Sequence, residues 1–355
     1  MGPDLNVSAE PPPPLGKVDS AGETRTVTGM SEAGLDVVRE VSEAEDRIRP
    51  YVRETPLEHS IPFSAMGGGD VWLKMENLQL TGSFKLRGAV NKLLSLPPDA
   101  RAKGVIAASS GNHGLGVARG CKELGITGVI YVPADASPSK LELIRSYGAE
   151  VRVHGNDCIE TEAEARRAAA ETGAAYISPY NDAVVVGGQG TIGVEIARQV
   201  DSADAVFVSV GGGGLISGIA GWLKRCWPKI EVVACSPAAS CVMHQSLDAG
   251  RMLDLPSDPT LSDGTAGGVE ADTVTFPVCQ ELVDRTVLVT EDEIAAAMRA
   301  VIENHHVLIE GAAGVAVGAW MKERARYDGK RVVIVLCGAN IGSKVLARVL
   351  AGESA

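Results

Sequence analysis

One lysine stands out for its neighbours. Lys85, in the segment Thr81-Gly-Ser-Phe-Lys-Leu-Arg-Gly-Ala89, follows Phe84 and opens an apolar periodic run of Leu86, Val90, Leu93 and Leu94. An amine at an apolar helix start is partly desolvated, which disfavours the ammonium form and lowers its pKa. A neutral amine attacks carbonyls, so Lys85 is a candidate for Schiff-base chemistry. Most lysines are simply solvated, and three further segments set this one apart.

Ala108-Ser-Ser-Gly-Asn-His-Gly114 lies between an apolar run that reads as a strand and one that reads as a helix. Such a turn aims successive backbone N–H groups at one point, and Ser109, Ser110 and Asn112 add polar groups suited to a carboxylate or phosphate. A plain capped turn is the alternative. Val210-Gly-Gly-Gly-Gly-Leu215 is again a strand-to-helix turn. Four glycines in a row cost roughly 0.5–1 kcal/mol each relative to alanine in regular structure. Sites that accept this usually let backbone approach a ligand, and the helix start favours an anion. Leu336-Cys-Gly-Ala-Asn340 ends the last strong strand. Ligands of open α/β sheets lie beyond the carboxyl ends of strands, so the turns at Ser109, Gly211 and Cys337 are expected to share one crevice.

Two patterns carry less. Gly188-Gln-Gly-Thr-Ile-Gly193 matches a dinucleotide fingerprint, but only Val184-Val-Val186 precedes it, and no acid lies between residues 205 and 230 to hold a ribose. Glu303-x-x-His306 with Glu310 resembles half of a carboxylate-bridged metal site, without the second copy that such bundles need.

The elements that must position these groups alternate. Strands are expected near 71–75, 105–108, 128–132, 150–153, 175–177, 205–210, 231–235, 286–289 and 331–336. Helices are expected near 32–48, 84–96, 114–124, 138–147, 158–172, 191–200, 215–227, 291–304, 312–324 and 341–350. Alternating β and α elements imply parallel sheets covered on both faces. Wholly apolar strands such as Val332-Val-Ile-Val-Leu336 suit that burial. The Pro- and Gly-rich stretch from Gly250 to Phe276 reads as a long surface excursion.

With 355 residues, 45% apolar and 22% charged, the chain can bury a substantial core. Its net charge of −12 repels phosphate backbones, so nucleic acid is not an expected partner. Cys121, Cys158, Cys226, Cys235, Cys241, Cys279 and Cys337 form no C-x-x-C pair. An odd, irregular set reads as reduced thiols in a cytoplasmic protein. No run approaches the length of a membrane span. Residues 1–30, with Pro11-Pro-Pro-Pro14 and few large apolar side chains, read as a disordered tail without a secretory signal, and Met30 is an alternative start.

Taken together, TGSFKLRG, SSGNHG, GGGGL and CGAN, in this order, resemble the pyridoxal-phosphate enzymes of the threonine dehydratase and serine racemase group, fold type II. Arg53-Glu-Thr-Pro-Leu57, Gly188-Gln-Gly-Thr191, Ser262-Asp-Gly-Thr265 and Leu308-Ile-Glu-Gly-Ala-Ala-Gly314 extend the likeness. The resemblance implies an α/β fold of two parallel-sheet domains, tryptophan synthase β-like, each a three-layer α/β/α arrangement. Residues 31–103 and 183–352 would form the larger, cofactor-binding domain and 104–182 a smaller inserted one. It further implies that Lys85 carries pyridoxal 5'-phosphate as an imine beside Phe84. Asn112 would meet the 3'-oxygen, and Gly211, Gly212, Gly213, Gly214 and Leu215 would cradle the phosphate. Cys337 would face the pyridine nitrogen, and Glu310 would lie near the ring. Ser109, Ser110, Gly111, Asn112 and His113 would hold the substrate carboxylate, with Ser110 at the position that racemases use as a second base.

A neutral thiol at the ring nitrogen makes a weaker electron sink than a carboxylate partner would, and a carbanion beside a β-hydroxyl is then discharged by elimination. The expected reaction is ammonia-lyase (dehydratase) chemistry on L-threonine, L-serine or a related β-hydroxy amino acid, giving a 2-oxo acid and ammonia. Racemisation with Lys85 and Ser110 on opposite faces, or β-replacement, is the alternative. Relatives with a divalent-cation site have acids where this chain has Ser236 and Val242, so no such metal site is expected. The chain closes 15 residues after Asn340, so no C-terminal regulatory domain is expected. A homodimer is expected by resemblance alone.

Overall fold

Strands such as Val206-Phe-Val208 and Val332–Leu336 offer nothing polar to water on either face, so helices cover both. The computed structural model describes residues 35–156 and 158–352; the tail expected over residues 1–30 lies outside them. The strands are β1 (Leu57–His59), β2 (Asp70–Lys74), β3 (Val105–Ala108), β4 (Gly128–Val132), β5 (Glu150–Val153), β6 (Ala175–Tyr176), β7 (Ala205–Ser209), β8 (Glu231–Pro237), β9 (Arg285–Val289) and β10 (Arg331–Val335). They form a six-stranded sheet in the order β1-β2-β10-β7-β8-β9 and a four-stranded sheet in the order β5-β4-β3-β6. Every pairing is parallel except that of the short edge strand β1 with β2. Strand β10 therefore lies beside β7, and their carboxyl ends open next to each other.

The helices are α1 (Val37–Ile48), α2 (Ile61–Gly67), α3 (Lys85–Ser95), α4 (Pro98–Ala102), α5 (Asn112–Leu124), α6 (Pro138–Ser146), α7 (Cys158–Thr172), α8 (Ala183–Gln199), α9 (Gly214–Cys226), α10 (Val242–Ala249), α11 (Thr275–Leu282), α12 (Glu291–His305), α13 (Gly311–Glu323) and α14 (Ser343–Leu350). Thr290 starts α12 with a capping box closed by Glu293, which satisfies two orphan donors at once. Helix α13 is buried along nearly its whole length, from Gly311 to Trp320, against the six-stranded sheet and α12. Val105, Ala107, Leu115, Val117 and Ile130 build the core of the smaller sheet, and Ala89 and Leu93 of α3 join it.

Helix α8 departs from the expected start near residue 191. It begins at Ala183, where Asp182 accepts from the N–H groups of Val184 and Val185. The G-x-G-x-x-G stretch is thus inside a helix rather than in a strand-to-helix turn. Its glycines serve close packing. A Cβ on Gly188 would lie 2.6 Å from Gly88 Cα of α3, and one on Gly190 would lie 2.8 Å from the carbonyl oxygen of Gly218 in α9. Strand β1 and helices α2, α4, α10 and α11 are further additions to the expected elements. Residues 251–262 contain no regular element.

Candidate active site

Lys85 is the first residue of α3, and a backbone seam holds that helix start in place. Phe84 N–H donates to Cys337 O (3.1 Å) and Ala339 N–H to Gly82 O (2.8 Å), and Ser83 and Gly338 form an antiparallel bridge. The lysine turn and the turn after β10 thus form one unit. Gly82 has φ +73°, and a Cβ there would lie 2.8 Å from Asn340 Oδ1, so both conformation and space require glycine. On the other side, Gly116 lets α5 press against the same helix start, since a Cβ there would lie 3.1 Å from Leu86 N.

Beneath Lys85 lies a buried ionic network. Arg87, fully buried, donates to both oxygens of Glu76 (2.7 and 2.8 Å) and both of Glu195 (2.6 and 2.9 Å). Lys74 Nζ and Arg49 Nη1 also donate to Glu195, at 2.6 and 2.7 Å. The cations hold Glu195 down at about 2 against the opposing effect of burial. The network ties α3 to β2, α8 and the end of α1.

Three turns converge on the cleft above. Phe84, Lys85, Asn112, Gly211, Gly212, Gly213, Gly214, Leu215, Glu310 and Cys337 all line it. So do Gly264, Thr265 and Ala312, from the Ser262–Thr265 and Leu308–Gly314 segments that extend the family likeness, and Tyr180 and Ser209, which the sequence did not single out. Lys85 Nζ donates to Pro179 O at 3.0 Å and lies 5.1 Å from the centroid of the Phe84 ring. Burial lowers its pKa to about 8, with the Glu310 carboxyl opposing the shift. Burial pushes the Cys337 thiol well up, so it stays protonated and neutral.

The glycine turn is shaped by its surroundings. Gly213 has φ +82°, a Cβ on Gly212 would lie 2.4 Å from the Tyr180 ring, and one on Gly211 would lie 2.9 Å from Thr265 O. Thr275 Oγ1 donates to Gly212 O (2.6 Å) and fixes the peptide planes. Helix α9 begins at Gly214, so its first N–H groups face the cleft with no intrahelical acceptor. Such a cradle suits a phosphate. A reactive amine, a phosphate cradle, the apolar face of Leu215 and a neutral thiol at a strand end match the parts of a phosphorylated aldehyde on a pyridine ring.

Asn112, at the start of α5, faces this cleft through a chain of polar groups. Its Nδ2 donates to Glu310 Oε1 (2.7 Å), and its Oδ1 accepts from Asn340 Nδ2 (2.7 Å). Glu310 also accepts from the Asn340 N–H (3.0 Å). Burial, aided by Asp263, raises the Glu310 carboxyl to about 7. Ser109, Ser110, Gly111 and His113 sit in the same turn but outside the cleft lining. Ser109 Oγ accepts from Gly111 N–H (3.1 Å) and shapes the turn. The His113 imidazole points inward instead, bonded through Nε2 to Ile177 O (2.8 Å), and burial lowers its pKa to about 3. Only its backbone remains at the helix start.

Comparison with known proteins identifies the family. The family described as "Pyridoxal-phosphate dependent enzyme" matches residues 48–338. The L-threonine ammonia-lyase of Geobacter sulfurreducens is 41% identical over 87% of this chain and 77% of that protein. Threonine deaminase isoform 2 from Solanum lycopersicum superposes with a TM-score of 0.85 at 33% identity, over 89% of this chain and 93% of that one. Maize serine racemase gives 0.83 at 33% identity, over 88% and 96%. The chain belongs to the pyridoxal-phosphate dependent enzyme family, with the two-sheet α/β fold of type II.

Proposed function

We propose that this protein is an ammonia-lyase that converts L-threonine, L-serine or a related β-hydroxy amino acid to a 2-oxo acid and ammonia. The observation that carries it is the meeting, in one cleft, of the half-buried Lys85 amine, the Gly211–Gly214 turn and the buried Cys337 thiol at the end of β10. Similarity to the Geobacter sulfurreducens and Solanum lycopersicum enzymes supports the substrate class.

The roles follow from the groups themselves. Gly211, Gly212, Gly213, Gly214 and Leu215 would hold the phosphate, Phe84 and Leu215 would supply apolar surface for the ring, and Asn112 would offer an N–H to the ring's 3'-oxygen. When bound, pyridoxal phosphate supplies an electron sink for charge developing at the substrate α-carbon. Lys85 would anchor the aldehyde and, once the substrate's own amine has displaced it, its freed amine would be the base that takes the α-proton. With a pKa of about 8, it has a sizeable neutral fraction near neutral pH. Cys337 adds no negative charge at the strand end, so the electron sink it would face would be weaker than one facing a carboxylate, which would favour departure of a β-hydroxyl. The turn of Ser109, Ser110, Gly111, Asn112 and His113 receives the substrate carboxylate through N–H groups and hydroxyls at the start of α5. Glu310 fixes Asn112. The expected setting is a cytoplasmic homodimer.

Racemisation is the second reading, favoured by the likeness to maize serine racemase and by the half-buried Ser110 beside the cleft. A panel of β-hydroxy amino acids scored for 2-oxo acid release, with a chiral assay alongside, separates the two. Release from threonine or serine is expected. Inversion without release from any member of the panel would replace the lyase with the racemase.

A further inference from the structure

The amide of Asn112 can present either a donor or an acceptor to the cleft, because its oxygen and nitrogen have nearly the same shape. The groups around it leave one choice. The chain starts at Thr81 O, a backbone carbonyl that can only accept. Asn340 Nδ2 donates to it at 2.8 Å, which fixes which end of the Asn340 amide is nitrogen. The second hydrogen of that nitrogen goes to Asn112 Oδ1 at 2.7 Å. Asn112 Nδ2 must then face Glu310 Oε1, at 2.7 Å. At the far end Glu310 Oε2 accepts from the Asn340 backbone N–H at 3.0 Å, a group that can only donate. Both ends of the chain are backbone groups whose roles cannot change. One N–H of Asn112 is left over, on a residue that lines the cleft.

Reversing Asn112 would set NH2 against NH2 at Asn340, whichever protonation state Glu310 holds. The turns beside the chain are packed closely. A Cβ on Gly82 would lie 2.8 Å from Asn340 Oδ1, and one on Gly338 would lie 2.4 Å from Glu310 Oε1. A side chain at either glycine would crowd Asn340 or Glu310.

We propose that Asn340 is a positioning residue which, with Glu310, dictates that Asn112 shows the cleft a hydrogen-bond donor. This rests on the reading that Asn112 meets the ring oxygen of pyridoxal phosphate. Asn340 also ties the turn after β10 to the lysine turn and to the start of α5, so it aligns Asn112 with Lys85.

The test is a cycle of Asn340→Ala, Asn112→Ala and the double variant, each stripped of cofactor and titrated with pyridoxal phosphate. The pH dependence of the bound cofactor's visible absorbance is recorded for each. If Asn340 acts through Asn112, Asn340→Ala weakens binding about fivefold to thirtyfold, the span of one or two hydrogen bonds, and shifts the pH profile in the direction Asn112→Ala does. The double variant is then no worse than Asn112→Ala alone. Additive losses, or a weaker affinity with an unmoved pH profile, would overturn the proposal. Should Asn340→Ala fail to fold, Asn340→Asp serves instead. It removes both donors, and an unchanged affinity and profile there would overturn the proposal equally. Borohydride trapping of the cofactor on Lys85 in the unaltered protein keeps the two ideas apart: a missing label defeats the cofactor reading, whereas a normal label with additive losses defeats only the role of Asn340.

Discussion

Replacing Arg87 with methionine should destabilise the protein severely, and the structure says by how much. The guanidinium is fully buried and makes four charge-assisted bonds to Glu76 and Glu195, plus contacts to Thr191 Oγ1 (3.1 Å) and Arg53 O (3.3 Å). Methionine fills similar volume, so cavity formation is a small part of the loss. The large part is electrostatic. Glu195 keeps Lys74 and Arg49, but among the described residues Glu76 keeps one side-chain hydrogen bond, from the Thr55 hydroxyl at 2.5 Å, and the more distant charge of Lys74. Removing one partner from a buried pair costs about 3–5 kcal/mol, a large share of a total stability of about 5–15 kcal/mol. Urea unfolding of the cofactor-free protein, with Arg87→Lys beside it, measures this. Lysine keeps the charge but not the fork, and should recover part of the loss. The sign with pH also follows. The folded state holds Glu195 at about 2, below its unfolded value of about 4.3. Its stabilisation is therefore present above about pH 4.3 and is lost as pH falls toward 2. A loss under about 1 kcal/mol for Arg87→Met at neutral pH would refute the view that this cluster braces the lysine helix.

Other outcomes are equally definite. Gly212→Val should weaken pyridoxal phosphate binding at least tenfold in a folded protein, because even a Cβ would lie 2.4 Å from the Tyr180 ring; overpacking of this kind costs about 1–3 kcal/mol, and unchanged affinity would show that the turn is not the cradle. Imine formation between the cofactor-free protein and pyridoxal phosphate should quicken as pH rises through about 8, and a midpoint near 10 would place Lys85 in open solvent. His113→Gln should reduce acid sensitivity. The folded state holds His113 at about 3 while the unfolded chain protonates it near about 6.5, so stability falls as pH drops between those values, and identical pH–stability curves for both proteins would contradict a buried neutral imidazole. A chelator should leave turnover unchanged, and a large loss restored by a divalent cation would show a metal site that Ser236 and Val242 do not suggest.

What the sequence shows depends on whether a residue's role is local. Strands β7 and β10 are legible because continuous apolar runs in an alternating α/β pattern have few other uses. The turns that follow them are legible for the same reason: Gly211 and Cys337 stand where strand ends open. Helix α8 hides its first two turns, because Val184-Val-Val-Gly-Gly188 has poor helix propensity. Its glycines make sense only against α1, α3 and α9: a Cβ on Gly187 would meet Glu40, one on Gly188 would meet Gly88, and one on Gly190 would meet Val41 and Gly218. Tyr180 and Thr265 enter the cleft by packing on the glycine turn, a contact no local pattern encodes. His113 is the converse case. Its position in the motif suggests a ligand group, but its ring is drawn inward to Ile177 O. Asn340 stands in a visible motif, yet its work appears only when Thr81, Asn112 and Glu310 surround it.

The most direct measurement is chemical. The purified protein is incubated with pyridoxal phosphate, reduced with borohydride, digested and mapped by mass spectrometry. A pyridoxyl group on Lys85, absent from Lys85→Ala along with 2-oxo acid release, is the expected result. Label confined to other lysines, or release that survives Lys85→Ala, would contradict the assignment of this cleft.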